Sequence, residues 1–336
     1  MNEKTTLDVK DQKIIAELDK NSRQSNSQIG KKVRLSKEVI KYHIDSLVER
    51  GVILRFHTAT NYFKLGISKF KLYLRLKNAN KEKIDEMGNY FEKNDKTEWV
   101  VHTTGRWDFI IGFLVKNVNE FDDEVRKIMN KFSKYIHEKA VTTTLYLAHH
   151  IREFLESGGK QQTQKIVYHT SKDKQEKIDE IDEKIIKLIA NNARLPVVEI
   201  AKRLKVTPRI VQYRLKDMEK KGIILAYKVQ LDPRKMGRIF CKMIIYLANT
   251  TQENIDKFID YASSLPGAVW PQRVMGTWDF ELDFEIQDYD TFQGIILDLK
   301  EKFPNIITNH EFCIVSEEFK LDFYPGCAPT FREIKK

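Results

Sequence analysis

The chain has 336 residues, of which 41% are hydrophobic and 32% charged, with a formal net charge of +10 and a pI near 9.2. That composition is too apolar for wholesale disorder, and no run approaches the roughly 20 apolar residues of a membrane span. Three cysteines (Cys241, Cys313, Cys327) make an odd number with no CxxC spacing, and Met1–Gln12 is polar from the start, with no apolar h-region. Neither a disulfide framework nor a secretory signal is expected, and the expected location is the cytoplasm.

In chain order, Ile14, Ile15 and Leu18 recur at helical spacing, followed by Ile29 and Val33. Ser36 then stands as an N-cap before a third helix with Ile40, Ile44 and Leu47 on its apolar face, and Gly51 stops it. A β-prone stretch follows. Three short helices and a strand, with a tight turn between the second and third helices, make a winged helix-turn-helix over residues 1–60. Residues 67–147 alternate differently: strand Phe70–Leu76, helix Lys81–Phe91, strands Trp99–Thr104 and Trp107–Val115, helix Glu120–Phe132, strand Ile136–Leu147. The order βαββαβ predicts a ferredoxin-like domain, two helices on one face of a four-stranded antiparallel sheet. Residues 148–177, centred on Ser157-Gly-Gly-Lys-Gln-Gln-Thr-Gln164, read as a linker, with Ile151–Leu155 a candidate last helical turn.

From there the chain repeats itself at an offset of 171 positions: Asp11-Gln-Lys-Ile-Ile15 falls on Asp182-Glu-Lys-Ile-Ile186, Arg23 on Arg194, Gly51 on Gly222, and Gly105-Arg-Trp-Asp-Phe109 on Gly276-Thr-Trp-Asp-Phe280. The register never slips, so the second copy carries a winged helix over 178–231 and a ferredoxin-like domain over 238–325. The fold class expected is α+β, with two winged helices alternating with two ferredoxin-like domains. Thr207-Pro208 opens the second copy's third helix, whose core face is Val211, Leu215 and Met218.

Asp182-x-x-Ile-Ile, Asn192-Ala-Arg194, Val206-Thr-Pro208, Val211-x-x-Arg214-Leu215 and Gly222-Ile-Ile224 resemble the DNA-binding head of the Lrp/AsnC (feast/famine) transcription regulators, and the resemblance covers nearly the whole chain, twice. It implies that each third helix enters the major groove of double-stranded DNA. The implied reading residues are Ser36, Lys37, Lys41, Tyr42 and His43 in the first copy, and Thr207, Arg209, Gln212, Tyr213, Arg214 and Lys216 in the second. A solvated helix face explains most charged helical residues taken alone; inside a complete winged-helix pattern the DNA reading is preferred. Charge placement agrees: residues 11–51 carry +3 and 182–222 carry +6, nearly all of the chain's net charge.

The resemblance also implies that the ferredoxin-like domains pair through their sheets and take a small effector, often an amino acid, at the turns Gly105-Arg106-Trp107-Asp108 and Gly276-Thr277-Trp278-Asp279. Backbone N–H groups freed by the glycines suit a carboxylate, Asp108 and Asp279 an ammonium, and Arg106 a bidentate carboxylate clamp, which makes the first copy's site the tighter one expected. The alternative is a hairpin turn with Trp107 and Trp278 packed in the core. The two halves are expected to form an intramolecular pseudo-dimer, open to further homo-oligomerisation.

No P-loop, GxGxxG, GxSxG or HExxH occurs, and His137, His149, His150 and Cys313 lack zinc-ligand order, so no enzyme, cofactor or metal is expected. One enzymatic alternative shares the implied architecture, a sirohaem decarboxylase. Its tetrapyrrole pocket would draw on His57, His102 and Arg106, positions where the second copy has Lys228, Arg273 and Thr277.

Overall fold

The computed structural model describes residues 5–155, 165–169, 174–248 and 250–327. The centre of the expected linker, 157–164, lies outside the described residues. Among them, no helix is long and apolar enough to cross a membrane.

The first copy folds as α1 (Val9–Lys20), α2 (Asn26–Val33), α3 (Lys37–Glu49), β1 (Ile53–Thr60), β2 (Ser68–Leu76), α4 (Lys81–Glu92), β3 (Thr97–Gly105), β4 (Phe109–Val115), α5 (Val118–Phe132) and β5 (Ile136–His150). A short β6 (Lys165–His169) precedes the second copy: α6 (Glu180–Ile189), α7 (Val197–Leu204), α8 (Pro208–Lys220), β7 (Ile224–Leu231), β8 (Ile239–Leu247), α9 (Gln252–Ala262), β9 (Ala268–Gly276), β10 (Phe280–Ile286), α10 (Tyr289–Lys302) and β11 (Ile307–Leu321). The helices start where the capping residues stand. Ser36 and Thr207 accept from the backbone N–H three residues on, while Asp8 and Asp179 form capping boxes with Asp11 and Asp182.

The chain divides into two compact units, and each draws on both copies. One unit holds the two winged-helix heads. Strands β1 and β7 pair antiparallel about a pseudo-twofold that passes between the equivalent residues His57 and Lys228. Ile14, Ile15, Leu18, Ile29, Ile40, Ile44 and Leu47 of the first head share one core with Val229 and Leu231 of the second. Reciprocal bonds tie the heads: Ser22 N–H donates to the Tyr227 carbonyl at 2.8 Å, and Ala193 N–H to the Phe56 carbonyl at 2.9 Å.

Residues 148–150, read from the sequence as linker, continue β5 instead. Ile151–Leu155 ends in a 3-10 turn (Glu153–Leu155) whose Leu155 joins the head core, so a segment read as linker is structural.

The second unit holds the ferredoxin-like domains. Each has its own antiparallel sheet, β5-β2-β4-β3 and β11-β8-β10-β9, with α4 and α5 or α9 and α10 packed on one face. The long last strands then cross over. β11 pairs with β3 from Cys313↔Gly105 to Leu321↔Trp99, and β5 pairs with β9 from Thr142↔Gly276 to Leu147↔Gln272. The two sheets thereby close into one barrel, helices outside, with the remaining sheet faces turned inward. The β5–β9 seam ends at Leu147, while β11 stays paired with β3 as far as Leu321, so the length of β11 serves closure.

Both seams need glycine. A Cβ on Gly105 would stand 2.4 Å from the Phe312 carbonyl oxygen, and one on Gly276 2.3 Å from that of Val141. Their φ angles, +134° and +156°, are also ones that a side chain disfavours.

Candidate functional site

α3 and α8 each bury a three-residue stripe, Ile40/Ile44/Leu47 and Val211/Leu215/Met218, and present the opposite face to solvent. On α8 that face carries Arg209, Gln212, Tyr213 and Lys216, all exposed and, among the described residues, without an intramolecular polar partner. Tyr213 is 68% exposed and its equivalent Tyr42 is 71% exposed, so a large aromatic ring stands in water at the same place on both helices. On α3 the exposed lysines are neutralised: Lys41 pairs with Asp45, and Lys37 lies 3.7 Å from Glu38. Ser36 and Thr207 stand at the helix starts, with their hydroxyls engaged as caps.

Two expected reading residues point elsewhere. Arg214 is half-buried and held by Asp179 at 2.6 Å and Asp182 at 3.2 Å. Its equivalent His43 lies 2.8 Å from Asp11, whose other oxygen takes Arg50 at 3.0 Å. Asp11 and Asp182 are the N3 residues of the capping boxes, so both side chains brace the third helix against the first. Helical spacing alone placed them beside the exposed face, and only the neighbouring helix shows what binds them. Asp8, Asp11 and His43 stand within 4.8 Å of one another, but as this cap network rather than an open metal cage.

At the turns, Asp108 and Asp279 each use one carboxylate oxygen to accept a backbone N–H, from Leu76 at 2.6 Å and Leu247 at 2.8 Å. Trp107 and Trp278 are buried, 5.9 Å apart between ring centres. Arg106 stacks on Trp107 and is held by Glu138 at 2.6 Å and Glu311 at 3.3 Å, so it is already engaged with carboxylates of this chain. Those bonds hold the guanidinium's pKa up, with burial opposing.

The second copy's turn differs. Beside Gly276 and Asp279 a cleft of about 190 Å³ opens, walled by Leu145 of β5 and by Leu247, Ile255, Val274, Met275 and Phe280. Arg273 lines it too, and the described residues offer its guanidinium no ion pair or hydrogen bond. In sequence Arg273 stands out only as the cation of β9, and its place on the cleft wall comes from the fold. Thr277 lies in the turn itself.

His57 is buried in the head pair, where burial and then the Lys228 charge push its pKa well below the ordinary histidine value. His102 lies on β3, its ring 5.4 Å from that of Phe109.

Paired winged helices with exposed third helices, set in a chain with a barrel of paired ferredoxin-like domains, define a tandem helix-turn-helix protein. Comparison with known proteins agrees. A family described as winged helix-turn-helix DNA-binding matches residues 7–53 and again 178–224. The HTH-type transcriptional regulator LrpB of Bacillus subtilis is 31% identical over 123 residues, 36% of this chain and 80% of that protein. The proline dehydrogenase transcriptional activator of Rhodobacter capsulatus is 24% identical over 136 residues, 40% of this chain and 88% of that protein. Among solved structures, the siroheme decarboxylase NirDL superposes with a TM-score of 0.64 at 12% identity, over 97% of both chains, a likeness of fold. The chain belongs to the Lrp/AsnC family, as a tandem duplication of its two-domain unit.

Proposed function

We propose that this protein is a DNA-binding transcription regulator that joins two unlike recognition helices in one chain and answers to an amino acid. The observation that carries the DNA reading is the α8 face, where Arg209, Gln212, Tyr213 and Lys216 stand exposed and unpaired. Arginine pairs bidentately with guanine, glutamine with adenine, and lysine with phosphate. On α3, Ser36, Lys37, Lys41 and Tyr42 face the same kind of partner with their charge largely cancelled. The operator therefore has two unlike half-sites, and the second copy supplies most of the electrostatic attraction. The chain acts as a covalent pseudo-dimer.

For the effector, the second copy's cleft is favoured over the first copy's turn. Arg273 offers an unpaired cation to a carboxylate, Asp279 an oxygen to an ammonium, and the walls suit an apolar side chain. Selecting bound duplexes from a random pool, with and without an amino-acid mixture, tests the reading. Enrichment of an imperfect palindrome that shifts with one amino acid is expected. No enrichment at low salt, together with a Soret band on adding sirohaem, would replace it with the tetrapyrrole-enzyme reading that the NirDL fold likeness raises.

A further inference from the structure

The barrel interior and the head pair both bury charged groups, and in both places a carboxylate of one copy takes a lysine of the other as well as a cation of its own. Inside the barrel, Glu281 of β10 takes Lys71 of the other copy at 2.5 Å and Lys242 of its own at 3.0 Å. Asp283 takes Lys242 at 2.7 Å and accepts from Gln272 at 3.0 Å. The indole N–H of Trp278 donates to Glu281 at 3.1 Å. All of these groups are shut off from water. Burial would raise the Glu281 carboxyl, but the Lys71 and Lys242 ammoniums outweigh it and hold it low. Lys71 and Lys242 are equivalent under the 171-residue repeat, yet the carboxylates are not duplicated. The positions matching Glu281 and Asp283 are Ile110 and Gly112.

The heads show the same one-sidedness. Asp19 of α1, fully buried, takes Arg152 at 2.8 Å and Lys228 of the other head at 3.5 Å. Here too burial is overcome by the Lys228 and Arg152 charges, and the carboxyl is held low. The residue matching Asp19 is Ala190, and the one matching Lys228 is His57, which stays neutral.

We infer that the two copies are specified for each other: buried charge makes each half a partner for the unlike half and a poor partner for its like. Two first halves would bury two Lys71 ammoniums with Ile110 on both sides. Two second halves would bury two lysines against four carboxylates in the barrel and leave two Lys228 facing Ala190 in the heads. Breaking a buried ion pair costs far more than the pair contributes, so such networks act as selectors of partner. Every assembled pair then presents one α3 and one α8, and mixed pairs with subunits lacking these charges are disfavoured.

The test uses the full chain with a protease site inserted between Gly158 and Gly159. Heavy-isotope and light protein are cut, mixed, carried through urea and refolded, and the pairs are weighed by native mass spectrometry. Shuffled heavy and light pairs of one N-terminal with one C-terminal fragment are expected, with like pairs at roughly one-hundredth or less of their amount. Like pairs at a tenth or more overturn the inference. A second measurement uses the uncut chain. Glu281→Ile leaves the Lys71 ammonium without its carboxylate, held by the Gln272 amide oxygen, while Lys242 keeps Asp283, and adding Lys71→Met removes the uncompensated charge. The melting temperature, or soluble yield if Glu281→Ile does not fold, should recover in the double variant. Losses that simply add would show that the two charges are not coupled across the seam, and would also overturn it.

Discussion

The Arg194 guanidinium of the second head lies 5.3 Å from the centre of the Phe56 ring of the first, and the equivalent Arg23 lies 5.3 Å from the ring of Tyr227. Each arginine also donates across the head pair, Arg194 to the Ser22 carbonyl at 2.6 Å and Arg23 to that of Ala193. The clasp is reciprocal, and the repeat preserves it where it did not preserve Asp19 or Glu281. Charged hydrogen bonds and a ring contact together are worth about 2–4 kcal/mol. Arg194→Ala should lower head stability by that order in urea denaturation, and Arg23→Ala comparably; an unchanged midpoint for both would show that the clasp contributes nothing.

Gly276→Ala and Gly105→Ala should each destabilise by about 2–4 kcal/mol, because the new methyl meets a backbone carbonyl that the seam holds in place. If the turns needed glycine only for a ligand, thermal melts without any effector would be unchanged.

Arg209→Ala with Lys216→Ala should cut affinity and lower the slope of log affinity against log salt by about 1, the share of the Lys216 phosphate contact, or by up to about 2 if the Arg209 charge also displaces a counterion. Lys37→Ala with Lys41→Ala should lower the slope less, since Glu38 and Asp45 already screen those lysines. Arg214→Ala should instead lower the melting temperature, through its lost bonds to Asp179 and Asp182. Equal slope losses for the two pairs would refute the asymmetry.

Arg273→Ala should weaken amino-acid binding at least tenfold in calorimetry, by loss of a charge-assisted contact of about 1.5–3 kcal/mol. Arg106→Ala should change it little. The reverse order would restore the first copy's turn as the main site.

Stability should fall as the pH drops below about 6.5. His57 is held neutral by burial and by the nearby Lys228, Arg55 and Arg152 charges, so its folded pKa lies below its unfolded one near 6.5. Its contribution is therefore complete above that value and is lost as acid protonates the unfolded chain, at up to about 1.4 kcal/mol per pH unit. His57→Asn should flatten the profile in part, since burial also lowers His102. An unchanged slope would show that His57 titrates normally.

Much of this molecule is set locally and is legible along the chain. The repeat, the three-helix heads and the βαββαβ order follow from helical and alternating periodicities and from caps such as Ser36 and Thr207. The placement of Tyr42 and Arg209 on an outer face follows from the spacing of the core residues beside them. Partners across the fold are another matter. His43 and Arg214 occupy surface positions by periodicity but are drawn back by Asp11 and Asp182 on another helix. Strand β10, Phe280-Glu-Leu-Asp-Phe-Glu-Ile286, alternates like a strand with one face in water, yet all seven residues are buried. Alternation says which side chains share a face, not what covers that face. Only closure of the barrel brings Lys71 to Glu281, 210 positions away, and turns a polar face into a buried set of matched charges.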